Sequence, residues 1–370
     1  MADSAPSPSA AAASSSASAP ATTEFTPASP AAAAAASPDP APGIAVDPRF
    51  HHDEDDADSA LGDENALSTT SINSTIFEYR NLHGRTYHNF GGGEKAEYWA
   101  PNDDTQNEQL DINHHLLSLT LGNKLYLAPL SNPKKVLDIG TGTGIWAIDF
   151  ADEFPDAAVT GIDLSPIQPS WVPPNCSFEL DDASKEWTYP DNTFDYIHIR
   201  YMIGSFKDWQ SVYREAYRCL KPGGWLEHFE CSSSVLCDDG SIPEDSIFSE
   251  WKRVFHEAGE KLGQTFEVID DDRYVGWMKE AGFKDVQSRT FKTPVGSWPA
   301  DKTMKEIGQF NRLGLEMGIE GFGLYVLTHI MGWSYEEVQV FMAKVRAGLR
   351  NKKWHAYCVW GAAWTQKPLE

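Results

Sequence analysis

The chain has 370 residues, of which 54 are acidic and 30 are basic, giving a net charge of −24. Because so acidic a surface repels phosphate backbones, we expect no direct binding to DNA or RNA. No window approaches the ~18 consecutive apolar residues of a membrane span, and the N-terminus lacks an apolar signal core, so neither membrane insertion nor secretion is expected. The 5 cysteines show no CxxC spacing, which argues against a zinc site or a disulfide scaffold and favours a cytoplasmic or nuclear protein.

The first part of the chain has the composition of a disordered tail. Ala, Ser, Pro and Thr make up nearly all of it to about residue 42, and an acidic run follows at 53–56. Such a segment has too few large apolar side chains to offset the entropy lost when its backbone is ordered. We therefore predict that residues 1–70 are disordered and that the rest of the chain forms one α/β domain with an insertion.

Beyond the tail, short apolar runs alternate with helical patterns. Strands are predicted at 135–140, 158–163, 177–182, 194–200, 225–230, 285–291 and 355–360. Helices are predicted from 145 to about 155 and at 209–220, 251–262 and 274–281. This alternation is typical of βαβ units and predicts a doubly wound α/β fold around a parallel sheet. A helical insertion is predicted at about 294–353, before the last strand, with a capping box formed by Ser334 and Glu337.

A glycine-rich turn joins the first strand to its helix. The segment runs Asp138-Ile-Gly-Thr-Gly-Thr-Gly144, at the place where doubly wound sheets bind adenine-containing cofactors. Glycines let the backbone approach a ligand closely, and the helix N-terminus behind them favours negative charge. Asp163 ends the second strand, where it is expected to accept the ribose hydroxyls, and the pair Asp181-Asp182 ends the third.

NAD and S-adenosylmethionine (SAM) are the two cofactors to be weighed. The dinucleotide fingerprint is G-x-G-x-x-G, whereas here the third glycine, Gly144, comes one residue early after Gly140 and Gly142. SAM has no pyrophosphate to seat on the helix, and its amino and carboxylate groups need an acid and backbone N–H donors. Asp138 and the glycine turn supply both, so the spacing favours SAM.

Several segments resemble the fungal LaeA-like methyltransferases. These are residues 136–149, 161–169, 171–174, 194–200 and 220–227, with 84–88 and 98–103 upstream. The resemblance covers roughly residues 75–366 and implies a seven-stranded, Rossmann-like class I methyltransferase sheet with an N-terminal helical cap. On this basis we predict a cap segment at 71–130 and a SAM-dependent methyltransferase domain at 131–370.

The resemblance also implies roles for individual residues. Asp138 and the three glycines of the turn would hold the methionine end of SAM, Asp163 the ribose, and Asp182 or Asp181 the adenine amine. In the cap, Tyr87, Tyr98 and Trp99 are expected near the cofactor. The predicted cofactor-binding residues are therefore Asp138, Gly140, Thr141, Gly142, Gly144, Asp163, Leu164, Asp181, Asp182, Tyr87 and Tyr98.

His198 and Arg200 are the predicted catalytic residues. Both stand at the end of the fourth strand, where they are expected to face the donor methyl group. An imidazole that titrates near neutral pH suits a general base, and Arg200 would hold an acidic or carbonyl group of the substrate. A core position is the alternative for His198, and His228 and Glu230 are weaker candidates. The pairs 51–52 and 114–115 are histidines without ligand spacing, so no metal site is predicted.

Three biological roles are consistent with these residues. The first is methyl transfer to an oxygen or nitrogen of a small-molecule secondary metabolite. In this role the insertion would form one wall of the acceptor pocket, and its Met and aromatic content suggests an apolar acceptor, although ordinary helix packing is the more common reason for such a pattern. The second is a LaeA-like nuclear regulator of secondary-metabolite gene clusters that acts with velvet-type protein partners. The third is a protein methyltransferase acting on basic side chains, for which the acidic surface would be suitable.

Overall fold

The computed structural model describes residues 43–48, 79–88 and 98–370. Most of the tail predicted at 1–70 therefore lies outside the described residues. None of the helices in those ranges is long and apolar enough to cross a membrane. The helices are α1 (Asp104–Thr120), α2 (Ile145–Glu153), α3 (Trp209–Cys219), α4 (Ile247–Leu262), α5 (Arg273–Glu280), α6 (Lys302–Tyr325) and α7 (Tyr335–Leu349). The strands are β1 (Arg80–Leu82), β2 (Arg85–Tyr87), β3 (Lys135–Ile139), β4 (Ala158–Asp163), β5 (Cys176–Leu180), β6 (Phe194–Arg200), β7 (Leu220–Leu236), β8 (Lys284–Pro294) and β9 (Tyr357–Gln366).

A seven-stranded sheet organises the molecule, in the order β5-β4-β3-β6-β7-β9-β8. Strands β3 to β7 pair in parallel, whereas β9 is antiparallel to both of its neighbours. The chain runs outward from β3 to β5 and then returns to place β6 against β3, so the strand order reverses between β3 and β6. Ligands of such sheets bind beyond the carboxyl ends of the strands at this reversal. The doubly wound, seven-stranded fold expected from the sequence is confirmed.

The region before the sheet combines a hairpin with a helix. Strands β1 and β2 pair antiparallel, so the segment around Tyr87, expected in a helical cap, is partly strand. Asp103 caps the start of helix α1, and its side chain accepts a hydrogen bond from the Gln106 amide at 3.0 Å. Arg85 in β2 donates to the same Asp103 carboxylate at 2.8 Å, which joins the hairpin to the start of the helix.

The helices before the last strand pack on this cap. Helix α6 runs without interruption through several glycines, among them Gly318 and Gly321. A Cβ on Gly321 would lie 2.3 Å from Gln106 Oε1, and one on Gly318 would lie 3.1 Å from Gln109 Cγ. The glycines therefore let α6 approach α1 closely, and this packing overrides their low helix propensity. Helix α7 begins with the predicted capping box of Ser334 and Glu337.

Several boundaries differ from the sequence-based prediction. Strand β7 extends to Leu236 and strand β9 to Gln366, because β9 pairs with a neighbour on each side over its length. Pairing of this kind overrides the weak strand propensity of glycine and alanine at 361–363. Residues 43–48, predicted as tail, contact the insertion: Val46 bridges Pro299, and the Asp47 amide donates to the Trp298 carbonyl at 2.7 Å. This short segment of the predicted tail therefore contacts the folded part of the chain.

Candidate active site

A cavity of about 490 Å³, here called the large cavity, opens beyond the carboxyl ends of β3, β4, β5 and β6. Its floor is formed by the residues that end or follow these strands, and Leu110 and Asn113 of α1 and Tyr98 cover it. Nine of the eleven predicted cofactor-binding residues line this cavity: Asp138, Gly140, Thr141, Gly142, Asp163, Leu164, Asp181, Asp182 and Tyr98.

The glycine turn brings the backbone to the cavity. Gly140 and Gly142 have φ values of 67° and 59°, which favour glycine. A Cβ on Gly140 would lie 2.1 Å from the Met202 sulfur, so any larger residue would displace that side chain. The Gly142 amide donates to Asp163 Oδ2 at 2.9 Å, which ties the turn to the end of β4.

Two acids on the cavity floor are held in fixed orientations. Asp138 accepts from the Thr141 hydroxyl at 2.7 Å through Oδ2 and contacts His198 Nδ1 at 2.7 Å through Oδ1. The Asp163 carboxylate accepts from the amides of Gly142 and Ser165, each at 2.9 Å. Burial raises the pKa of Asp163, and its backbone hydrogen bonds oppose that shift.

His198 lies beneath the cavity and is not on its wall. His198 is 1% exposed, and its ring stacks on the ring of Trp146 with 3.6 Å between the two centroids. Burial lowers the pKa of His198 to about 4, so the ring is neutral at pH 7 and its Nδ1–H donates to Asp138. This geometry does not fit the predicted role of general base. It makes His198 a residue that orients Asp138, in line with the alternative of a core position.

Arg200, two residues further along β6, lines the large cavity as predicted. Its guanidinium contacts His114 Nδ1 at 3.1 Å, and His114 Nε2 lies 2.9 Å from Asp149 Oδ2. Burial lowers the pKa of Arg200 to about 10, which leaves the side chain charged at neutral pH. The site thus contains a partly buried cation beside the glycine turn.

Two predicted cofactor-binding residues lie elsewhere. Gly144 has a φ of 81° at the start of α2, and a Cβ there would lie 2.3 Å from the Phe178 ring, so it serves packing against β5. Tyr87 is 1% exposed and lies 5.7 Å from the Tyr325 ring, between the hairpin and α6. Neither residue lines the large cavity.

The weaker catalytic candidates on β7 are also internal. His228 and Glu230 are fully buried, and the Tyr213 hydroxyl lies 2.7 Å from His228 Nδ1. Glu230 accepts from the Met202 amide at 2.7 Å, so it fixes the segment that follows β6. Neither His228 nor Glu230 lines the large cavity or the second cavity described below.

A second cavity, here called the small cavity, has a volume of about 100 Å³ and adjoins the large one at Tyr201, which lines both. It lies where β7 and β9 change register between Cys231 and Val235. Its walls are mostly apolar and come from the cap, β7, α4, α6 and α7, and include Trp99, Val235, Phe248, Trp251, Phe255, Leu315, Ile319, Phe322, Val345 and Leu349.

Sequence reasoning missed part of the large cavity. The residues that follow β6, numbers 201, 202 and 205–208, could have been found from the rule that ligands bind beyond the strand ends at the reversal of strand order. Asn113 and Gln264 carried no such signal, because each reaches the cavity from a distant part of the chain.

The geometry fits a SAM-sized ligand whose amino-acid end carries both an ammonium and a carboxylate. The glycine turn leaves no Cβ at Gly140, and Asp138 and Arg200 line the same cavity from the paired strands β3 and β6. Asp163 stands at the end of β4, and Asp181 and Asp182 follow β5 further along the cavity. Acid, cation and backbone donors are the groups that the amino-acid end of SAM requires.

Comparison with known proteins agrees with this fit. A family profile described as a methyltransferase domain matches residues 112–288. The methyltransferase pytC of Aspergillus terreus is 41% identical over 303 residues, which cover 81% of this chain and 92% of pytC. The secondary metabolism regulator LAE1 of Cochliobolus heterostrophus is 35% identical over 79% of this chain and 95% of LAE1. The protein-methionine methyltransferase laeA of Emericella nidulans is 31% identical over 81% of this chain and 79% of laeA. The chain therefore belongs to the fungal LaeA-like family of SAM-dependent methyltransferases.

Proposed function

We propose that this enzyme transfers the methyl group of SAM to an apolar small molecule of secondary metabolism. The observation that carries the proposal is the small cavity, an apolar space that adjoins the large cavity at Tyr201. Small-molecule sites are concave and mostly apolar, with a few polar groups that fix orientation.

The contact between the two cavities is built from two chain segments. After β6, Met202 lines the large cavity, Ile203 lines the small one and Tyr201 lines both. After α4, Gln264 lines the large cavity and Phe266 the small one. Tyr201 has a φ of 56°, an uncommon value for a bulky residue, at the point where the cavities meet. An acceptor held in the small cavity would therefore present its reacting atom past Tyr201.

The size and chemistry of the small cavity suggest what it holds. A cavity of 150 Å³ lined by aliphatic and aromatic side chains can bind benzene, so about 100 Å³ suits a branched aliphatic group or part of a ring. Leu315, Ile319 and Phe322 of α6 and Val345 and Leu349 of α7 line one side. These residues favour the predicted role of the insertion as a wall of the acceptor pocket.

In this proposal the residues of the large cavity hold the cofactor. Asp138 and the glycine turn would bind the methionine end, Asp163 the ribose hydroxyls, and Asp181 or Asp182 the adenine amine. SAM supplies a methyl group already activated by its sulfonium, so the protein contributes mainly by positioning the acceptor and excluding water. Within the described residues no histidine lines either cavity, which favours acceptor atoms that are nucleophilic near neutral pH.

Deleting the gene in its source organism tests the biological role. Loss of one product together with accumulation of its demethylated precursor would support the proposal and would identify the acceptor. A broad loss of many unrelated products would instead favour a regulator.

A pair of tryptophan substitutions on α6 tests the acceptor pocket. Leu315 lines the small cavity, whereas Leu313 is 46% exposed on the same helix and serves as the matched control. We expect Leu315→Trp to fill the cavity and raise KM for the acceptor at least tenfold, with S-adenosylhomocysteine binding within twofold of wild type. Leu313→Trp should change neither. Normal acceptor kinetics in a folded Leu315→Trp enzyme would contradict the pocket assignment.

A second candidate is protein methylation, including at methionine. The Met202 thioether lines the large cavity beside Gly140, and one relative is named a protein-methionine methyltransferase. A thioether needs no deprotonation before it attacks a methyl group. Label from methyl-labelled SAM appearing in the purified chain and absent in Met202→Leu would support this candidate.

Protein methylation would suit a regulator of secondary metabolism. Relatives at 32–35% identity are named secondary metabolism regulators. A regulator would act in the nucleus with velvet-type partners. Co-purification of such partners with the tagged chain would favour it, and methylation of a purified metabolite would favour the first proposal.

A further inference from the structure

The wall of the large cavity carries a partly buried cation that lacks an anionic partner. Among the described residues, no carboxylate lies within 4.0 Å of the Arg200 guanidinium, and its hydrogen-bond partner is the imidazole of His114. The other cations that line the cavity, Lys185 and Lys207, are exposed. Since a guanidinium offers five N–H donors, Arg200 retains most of its capacity to bind an anion.

Two further residues fix the direction of this guanidinium. Asp149 Oδ2 lies 2.9 Å from His114 Nε2, so the carboxylate accepts from that nitrogen and leaves Nδ1 as the acceptor that faces Arg200 at 3.1 Å. Burial lowers the pKa of His114, which keeps its ring neutral at pH 7. An uncharged acceptor orients Arg200 without neutralising it.

We propose that Arg200, oriented by His114 and Asp149, binds the carboxylate of the cofactor's methionine moiety. The inference rests on the assignment of the large cavity to the cofactor. A planar guanidinium matches a carboxylate through two parallel hydrogen bonds, which an ammonium cannot reproduce. Because Asp138 lines the same cavity from the neighbouring strand β3, where it pairs with His198, the ammonium and carboxylate of one amino acid would each meet a group of opposite charge.

The sequence analysis predicted that Arg200 holds an acidic or carbonyl group of the substrate, and the proposal changes that role. Arg200 contacts the cofactor and not the acceptor, and it discriminates between adenosine ligands with and without a carboxylate. His114 and Asp149 become positioning residues, because they act through Arg200.

Binding of two adenosine ligands tests the proposal without an acceptor. S-adenosylhomocysteine carries the amine and the carboxylate, whereas 5′-deoxy-5′-(3-aminopropylthio)adenosine keeps the amine and lacks the carboxylate. We expect the wild type to bind the first at least tenfold more tightly by calorimetry. Arg200→Gln should abolish that preference by weakening only the first ligand, and Arg200→Lys should restore part of it.

The positioning residues and a surface arginine complete the experiment. His114→Ala and Asp149→Asn should each reduce the preference severalfold, and His114→Asn, which keeps an acceptor near Nδ1, should reduce it less than His114→Ala. Arg214→Gln, which removes an exposed arginine of α3, should leave it unchanged.

Three results would overturn the proposal. Equal affinity of the wild type for both ligands would do so without any variant, so a poorly folded mutant cannot leave the question open. Equal weakening of both ligands in Arg200→Gln would mean a structural role. Unchanged ligand binding with a raised KM for the acceptor would place Arg200 at the substrate. Failure to bind either ligand would instead contradict the cofactor assignment.

Discussion

Asp138 is held from two directions, by the Thr141 hydroxyl and by the His198 imidazole, each at 2.7 Å. Such a carboxylate loses little rotamer freedom when it binds a ligand, since its orientation is already set. His198 is fixed in turn by its stacking on Trp146. We therefore propose that the imidazole at the end of β6, by fixing Asp138, contributes to the geometry of cofactor binding.

Substitution of His198 distinguishes two roles for this residue, the orientation of Asp138 and proton transfer as a general base. We expect His198→Ala to weaken S-adenosylhomocysteine binding about tenfold, because a buried hydrogen bond to a charged group contributes ~1.5–3 kcal/mol. His198→Asn, whose amide can donate near the Nδ1 position, should lose less. The kcat of His198→Asn should follow the wild-type pH dependence from pH 6 to 9, because burial keeps the pKa of His198 near 4. An ionisation near neutrality that is present in the wild type and missing in His198→Asn would restore the role of general base.

At the scale of elements, the local sequence pattern predicts every strand of the seven-stranded sheet. It does not predict the features that depend on residues far away in the chain. The run 135–139 is apolar and ends in a glycine turn, which specifies a buried strand without reference to the rest of the chain. The continuity of α6 depends on close packing against α1, and the length of β9 depends on two neighbouring strands. The bridge at Val46 depends on Pro299, far away in sequence. None of these partners can be recognised within a window of ten residues.

The segment 43–48 offers a test at the scale of elements. Lys305 in α6 contacts Asp47 at 2.6 Å, with the Asp47 side chain 8% exposed. A double-mutant cycle with Asp47→Asn and Lys305→Gln should give a coupling energy of about 1 kcal/mol, because the pair is partly shielded from solvent. The exposed pair Lys134–Asp156 is the control and should give a coupling below about 0.5 kcal/mol. Equal coupling in the two pairs would show that the segment does not stay docked in solution.

At the scale of the whole molecule, the large cavity lies between the cap and the sheet, and the small cavity lies where the cap, the sheet and the insertion meet. The large cavity was foreseeable, because most of its floor follows parallel strands at the reversal of strand order. The small cavity was not, because its wall combines residues as distant as Trp99, Cys231 and Val345. The cofactor motif thus predicts the large cavity, which is assigned to the cofactor. The small cavity, which is assigned to the acceptor, arises from packing between separate elements.

Glu227 links the segment before β3 to the middle of the sheet. Its carboxylate accepts from the amides of Leu127 and Ala128 at 2.9 Å and 2.7 Å. The residue is 1% exposed, and burial raises its pKa to about 7, from an ordinary glutamate value near 4.3. Between these two pH values the folded chain binds a proton at Glu227 that the unfolded chain has released, so this residue makes stability fall as pH rises.

The free energy of unfolding should record this difference. Each pKa unit corresponds to 1.36 kcal/mol. Between pH 4.5 and 8 the ionisation of Glu227 should therefore lower the free energy of unfolding of the wild type by about 3 kcal/mol, relative to a variant in which the residue cannot ionise. We expect Glu227→Gln to lose less stability than the wild type over that interval in urea titrations. Glu306→Gln, at an exposed position in α6, should keep the wild-type pH dependence. If wild type and Glu227→Gln changed in parallel, the buried carboxyl would have to be charged throughout, and its two amide donors would then outweigh the cost of burial.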